Sequence, residues 1–170
     1  MPLRRKPVSL KARALQALAL RDHSRAELRG KLLRAARAAH AGDASAEGES
    51  PEVESPEVEQ IVEALLDELV EKGHLSDTRF MESRVQARSS RYGNVRIRQE
   101  LRQHGVELHP EVQAHLLNSE LERARSVWSR KFGTPAQTPA EAARQMRFLA
   151  GRGFSADIIH QVVRARGDAD

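Results

Sequence analysis

Two hexapeptides, Leu101-Arg102-Gln103-His104-Gly105-Val106 and Leu149-Ala150-Gly151-Arg152-Gly153-Phe154, share the pattern Leu-x-x-x-Gly-apolar. Each leads through a few residues into a short apolar segment, 112–117 or 158–163. A glycine in this place lets a helix stop on a left-handed residue and an apolar side chain close over its end. The pair Leu28/Leu32 matches Ile97/Leu101 in spacing and follows a comparable start signal. A module of short helices therefore recurs about three times. Each copy is too small to bury a core alone, so neighbouring modules are expected to stack into an elongated body.

Helix signals fill the rest of the chain. Ser24-Arg25-Ala26-Glu27 and Thr138-Pro139-Ala140-Glu141 read as capping boxes, the second with proline at the first helical position. Val58, Ile61, Val62, Leu65, Leu66 and Leu69 keep helical spacing up to a stop at Gly73, and Ser76-Asp77 caps the next helix, with Phe80, Met81 and Val85. Asn94 is expected to cap a helix that presents Val95, Ile97 and Leu101 to a core and ends at Gly105. Pro110 starts a helix with Val112, Leu116 and Leu117; a separate one follows from Leu121 to Phe132, with Trp128 as core anchor; Ser155 caps the last. No stretch keeps a strand-like alternation.

Charge is distributed unevenly. Residues 1–41 hold 11 Lys+Arg against 2 acidic groups, residues 42–82 hold 2 against 13, residues 83–135 hold 10 against 5, and residues 136–170 hold 5 against 4. Basic blocks flanking an acidic one point to a polyanionic partner. Around residues 41–55 low hydropathy, many acidic groups and the duplication Ser50-Pro-Glu-Val-Glu54/Ser55-Pro-Glu-Val-Glu59 are expected to form a mobile, solvated loop. Cysteine is absent, which excludes disulfides and thiolate metal sites and fits a reducing cytosol. No apolar run is long enough to span a membrane, and the basic start Leu3-Arg4-Arg5-Lys6 has no apolar stretch behind it, as a secretory signal would.

Nucleotide-binding glycine loops, a nucleophile elbow and a His-Glu-x-x-His pair are all missing, and the seven histidines form no convincing metal set. No catalytic residue, metal or cofactor is expected. Arginine supplies 23 of the 28 basic groups, and its planar fork suits bidentate contact with phosphate or carboxylate. The densest cluster, Arg84, Arg88, Arg91, Arg96, Arg98 and Arg102, crosses a helix end, the Tyr92-Gly93 turn and the next helix. We take Arg88, Arg91, Arg96, Arg98 and Arg102 as the candidate contact residues, with Arg25 and Arg29 as a second patch. Tyr92 either stacks on a base or packs over the turn. Such a cluster suits phosphate backbones or an acidic groove rather than base reading.

The segments Arg21-Asp22-His23-Ser24-Arg25-Ala26-Glu27-Leu28-Arg29-Gly30-Lys31-Leu32, Gly73-His74-Leu75-Ser76-Asp77-Thr78-Arg79-Phe80, Tyr92-Gly93-Asn94-Val95-Arg96-Ile97-Arg98-Gln99-Glu100-Leu101 with Gly105-Val106, Lys131-Phe132-Gly133, and Arg147-Phe148-Leu149 with Arg152-Gly153-Phe154 resemble, in order, the RecX family. Members of that family regulate the bacterial RecA recombinase. The resemblance covers nearly all of residues 10–165 and implies an all-α fold of tandem three-helix repeats in an elongated, curved helical body. A basic segment and leading helix over 1–22 would precede repeats at 23–90, with the acidic insertion at about 41–55, at 91–134 and at 138–170. The acidic insertion and the short tail after Val163 depart from the simplest family pattern. The implied function is non-enzymatic: a cytoplasmic monomer that lodges in the groove of the RecA–single-stranded-DNA filament. There it would limit filament growth, ATP hydrolysis, strand exchange and coprotease activity, with Arg88, Arg91, Tyr92, Arg96, Arg98, Arg102, Arg25 and Arg29 meeting filament or DNA. The competing reading is a generic DNA-binding or transcription-regulating helical protein, which would need a recognition helix not evident here.

Overall fold

Local chemistry starts half of the helices. In a computed structural model, which describes residues 8–43 and 56–164, Ser9 Oγ accepts from the Ala12 amide, Ser24 Oγ from Glu27 at 3.0 Å, Ser76 Oγ from Arg79 and Thr138 Oγ1 from Glu141 at 3.2 Å. Each satisfies one of the amide donors a helix leaves unpaired at its start. Among the described residues there are eight helices and no strand: α1 (Leu10–Leu20), α2 (Arg25–Asp43), α3 (Pro56–Glu71), α4 (Asp77–Ser89), α5 (Asn94–Gln103), α6 (Pro110–Lys131), α7 (Pro139–Gly151) and α8 (Ala156–Arg164). The chain is an all-α helical-repeat protein. The basic stretch 1–7, most of the acidic insertion (44–55) and the tail beyond Arg164 lie outside the described residues; residues 41–43, expected in the loop, are the last of α2.

The recurring Leu-x-x-x-Gly-apolar pattern is one helix stop used repeatedly. At the end of α5 the Val106 amide donates to the Leu101 carbonyl and the Gly105 amide to Arg102, with Gly105 at φ 70°. At the end of α7, Phe154 donates to Leu149 and Gly153 to Ala150, with Gly153 at φ 77°. Both are Schellman closures, and Val106 and Phe154 are buried as the apolar lids they require. The same two bonds close α3 at Gly73.

Four sequence expectations are corrected. Asn94 does not cap α5: Gly93 occupies the cap position without a side-chain bond, and Asn94 is buried with its Nδ2 donating to the Leu116 carbonyl at 3.1 Å. Val95 therefore falls outside the apolar seam and is 54% exposed. Residues 110–131 form one continuous helix, where a helix from Pro110 and a separate one from Leu121 to Phe132 were expected. The Ser119 hydroxyl turns back to donate to the His115 carbonyl at 2.8 Å, so a residue that favours caps is absorbed inside the helix. Leu117 on α6 and Ile61 on α3, both placed on apolar faces by their spacing, are exposed.

The chain divides into two compact units, Met1–Phe80 and Met81–Asp170. In the first, α1, α2 and α3 enclose Ala14, Leu28, Leu32, Val62, Leu66 and Leu69, with Leu75 beside them. In the second, α6, α7 and α8 pack around Trp128, Leu149, Phe154, Ile159 and Val162. Trp128 is the anchor expected of the chain's one tryptophan. Its indole N–H donates to Gln145 Oε1 at 2.8 Å, and Gln145 in turn donates to the Thr134 carbonyl. The second unit holds residues of both the second and the third expected repeats.

Candidate functional site

The turn joining α4 to α5, Ser90-Arg91-Tyr92-Gly93, is built by backbone contact with the turn after α7. The Gly93 amide donates to the Arg152 carbonyl at 2.9 Å and the Val95 amide to the Gly153 carbonyl at 3.0 Å. The approach is so close that a Cβ on Gly93 would lie 2.2 Å from the Gly153 oxygen, and one on Gly153 would lie 2.6 Å from the Arg96 nitrogen. Only glycine fits at either place.

Below this junction lies a buried polar knot. Glu120 of α6, only 3% exposed, accepts from the Asn94 amide at 3.1 Å, from the Ser155 amide at 3.3 Å and from the Ser155 hydroxyl at 3.1 Å. One carboxylate thus serves the starts of both α5 and α8, where helix dipoles favour negative charge. Arg123, one turn on, donates to the carbonyls of Ser89 (3.2 Å), Tyr92 (2.8 Å) and Leu116 (3.0 Å) and to Asn94 Oδ1. Burial pushes its guanidinium below the ordinary value, against the opposing pull of Glu120.

Arginines crowd the outer side of the same turn. The Arg96 guanidinium lies over the Tyr92 ring at 4.5 Å from its centroid, Arg88 at 5.7 Å and Arg152 at 6.0 Å. Arg152 also covers Phe148 at 4.6 Å. Arg96 donates to the Gly151 carbonyl at 3.2 Å, Arg152 to the Arg91 carbonyl at 3.3 Å, and Arg130 to the Ser90 carbonyl at 2.8 Å. The carboxylate that joins this group is Glu100, which accepts from both Arg84 and Arg88 at about 3.1 Å. Among the described residues Arg91, Arg96, Arg130 and Arg152 have no carboxylate partner.

The predicted contact residues separate into three places. Arg88, Arg91, Tyr92 and Arg96 come together at the turn. Arg98 and Arg102, one helical turn apart, line a different depression with Val106, Glu107, Leu108 and Gln113, about 160 Å³ in volume. Arg25 and Arg29 belong to the first unit, where α3 supplies their counter-charges. Arg25 meets Glu63 and Asp67, both at 2.7 Å, and Arg29 meets Glu63 and Glu59. Hydrogen bonds from Arg25 and then Arg29 hold Glu63 below the usual carboxylate range. Tyr92 packs under guanidiniums, the packing alternative weighed for it. Sequence reasoning missed Arg123, Arg130 and Arg152 as partners of this turn. Only the repeat at Arg152-Gly153-Phe154 hinted at one of them, because nothing local pairs residue 152 with residue 92.

No group of three or more His, Asp or Glu side chains among the described residues is placed to hold a metal ion, and no described helix is long and apolar enough to cross a membrane.

Comparison with known proteins bears on the family and the fold. Residues 76–107 match the family model for the second three-helix domain of RecX, and residues 118–163 match the model for its third. The regulatory protein RecX of Ralstonia nicotianae is 45% identical over 166 residues, spanning 96% of this chain and 92% of that one. This chain belongs to the RecX family. The RecX proteins of Pseudomonas putida (39% identical; 94% of this chain, 92% of the relative) and Chromobacterium violaceum (37%; 95% and 93%) extend the match over the same length. The crystal structure of RecX from Lactobacillus salivarius shares the fold at a TM-score of 0.64, with 15% identity over 93% of this chain and 94% of that one. On the matched spans, the arginine-rich turn lies within the second three-helix domain and is met by residues of the third. Arg88, Arg91 and Arg96 fall in the second matched domain, and Arg123, Arg130 and Arg152 in the third.

Proposed function

We propose that this chain regulates the RecA recombinase without catalysing a reaction, as an inhibitor that binds the groove of the RecA–single-stranded-DNA filament. It limits filament growth and with it ATP hydrolysis, strand exchange and coprotease activity. It works as a monomer in the cytoplasm. The observation that carries this reading is near full-length similarity to regulatory RecX proteins, in a chain whose arginines gather at one turn with Glu100 as the carboxylate that meets them among the described residues. A deep groove lined by acidic protein surface and phosphates is the kind of partner that such a charge excess attracts.

The test is single-stranded-DNA-dependent ATP hydrolysis by the cognate RecA, titrated with this protein from trace to equimolar amounts. Inhibition well below one molecule per RecA is expected, because stopping a growing filament affects many subunits. Inhibition only when the DNA itself is saturated would favour the generic DNA-binding reading. A folded protein with no effect at any ratio would overturn the proposal.

A further inference from the structure

We infer that the third matched domain carries a peptide-binding cleft between the 133–138 loop and the start of α7, which takes an apolar side chain and a neighbouring carboxylate from an acidic segment of a protein partner. The inference goes beyond the filament reading: it needs neither the arginine-rich turn nor DNA.

Phe132, Thr134, Pro135, Glu141, Arg144 and Gln145 line a cleft of about 450 Å³. That is room for a pair of side chains rather than for a single ion. Its walls are fixed before anything binds. Gln145 is 5% exposed, and both ends of its amide are committed: Oε1 accepts from the Trp128 indole at 2.8 Å, and Nε2 donates to the Thr134 carbonyl at 3.3 Å. The loop is therefore tied to the core at its first turn, where Gly133, at φ 72°, has ended α6. The half-buried Phe132 ring is held edge-on against Phe148 at 5.2 Å between centroids. Such a site loses little freedom on binding.

The charges of the cleft select its ligand. Glu141 is already engaged, because it accepts from the Gln137 amide at 2.7 Å and stands in the first turn of α7, where the helix dipole offsets its charge. Arg144, three residues on and on the same side of the helix, is exposed, and no described residue accepts from its guanidinium. A free planar fork calls for a carboxylate or a phosphate. A nucleic-acid strand carries a phosphate at every nucleotide and would bring further ones against Glu141. Residues 136–170 hold 5 basic against 4 acidic groups, so no local field gathers a polyanion here. A peptide can set one carboxylate on Arg144 and lay its apolar neighbour on Phe132 and Pro135, taking all three surfaces out of water.

The chain supplies its own reporter. Trp128 is the one tryptophan, and its indole N–H is bonded to a wall of the cleft, so a single indole resonance of the nitrogen-15-labelled full chain reads occupancy. The probe is the acetylated, amidated peptide Gly-Ser-Gly-Asp-Phe-Gly-Ser-Gly. It is expected to shift that resonance saturably, and replacing its Asp by Asn or its Phe by Ser should weaken binding at least about tenfold, as for loss of a charge-assisted pair or of a buried apolar side chain. Arg144→Gln should weaken the Asp-Phe peptide to the same degree and leave the Asn-Phe peptide unchanged, a split that general damage to the domain would not produce. Arg144→Glu should prefer a Lys-Phe peptide over the Asp-Phe one. The Arg144 side chain supports nothing in the structure, so these variants keep the fold. Arg34→Gln, which removes an exposed arginine of α2 and the same charge, should change nothing. The inference is overturned if the Asp-Phe peptide causes no saturable shift at millimolar concentration, or if Arg144→Gln binds both peptides as wild type does. It is overturned equally if oligo(dT) moves the indole resonance more tightly than the peptide, since the cleft would then read nucleic acid.

Discussion

Gly93 and Gly153 meet backbone to backbone, with 2.2 Å between the place a Gly93 side chain would start and the Gly153 carbonyl oxygen. Backbone cannot rotate away as a flexible side chain can. Gly93→Ala must therefore force the two turns apart and break the bonds from Gly93 to Arg152 and from Val95 to Gly153. A loss of about 3 kcal/mol, the upper end of what overpacking costs, is expected. Gly73→Ala is the contrast. Unlike Gly93 it has a positive φ, 70°, but nothing lies within 4 Å of the added carbon, so only the left-handed backbone penalty of about 1 kcal/mol applies. Trp128 fluorescence during urea unfolding reads the first variant, because the one tryptophan lies in the core of the second unit. Far-ultraviolet circular dichroism reads the second. Equal losses in the two would mean that the junction is not as tight as described.

What could be read from the sequence was whatever is local. The caps at Ser24 and Thr138 and the stops at Gly105 and Gly153 depend on residues within one turn of each other, and all four stand as expected. Asn94 misled for the same reason. Its type favours a cap, but Glu120, Leu116 and Arg123, at least 22 residues away, offered its polar groups better partners than its own helix did. The arginine-rich segment was visible as composition; its division into a turn cluster and a separate Arg98/Arg102 face was not. That division depends on Arg130 and Arg152 arriving from another repeat, and on Glu59, Glu63 and Asp67 already engaging Arg25 and Arg29.

Glu120 should be the most sensitive polar position in the second unit. Glu120→Ala leaves the amides of Asn94 and Ser155 buried without an acceptor, at about 1–3 kcal/mol for each unsatisfied group. Glu120→Gln keeps an acceptor oxygen and loses the charge facing two helix starts, which costs about 1 kcal/mol. Thermal unfolding followed at Trp128 should rank wild type above Gln and Gln well above Ala. A glutamine variant as damaged as the alanine variant would show that charge, not hydrogen bonding, holds the knot.

Arg96 over Tyr92 is the closest of the cation–ring contacts at the turn and should be measurable as a coupling. In a double-mutant cycle of Arg96→Gln and Tyr92→Leu, the two losses should fall short of additivity by about 0.5–1 kcal/mol, as for exposed pairs of this kind. Raising the salt concentration should reduce the coupling only slightly, since most of the attraction acts at contact. Strict additivity would remove the ring from the account of how Arg96 is positioned.

The first unit carries a pH dependence with a definite sign. His23 is 3% exposed, and burial pushes its imidazole below the ordinary value; Glu27 opposes that shift, while Arg21 and Lys31 add to it. The folded chain therefore binds fewer protons than the unfolded one just below the unfolded histidine value of about 6.5, and stability must rise with pH there. The contribution of His23 is fully present above that value and is lost as pH falls through the lower folded value. The depressed carboxylates act in a separate window. Glu63, hydrogen-bonded by Arg25 and Arg29, and Glu68, lowered to about 2 by Lys11 and Lys72, contribute above the unfolded glutamate value of about 4.3 and lose their effect only in stronger acid. Urea unfolding followed by circular dichroism should thus show the first unit weakening between about pH 7 and pH 5. His23→Gln should flatten that limb while leaving the acid limb of Glu63 and Glu68 in place. A limb between pH 7 and pH 5 that survives the substitution would assign the titration to another group.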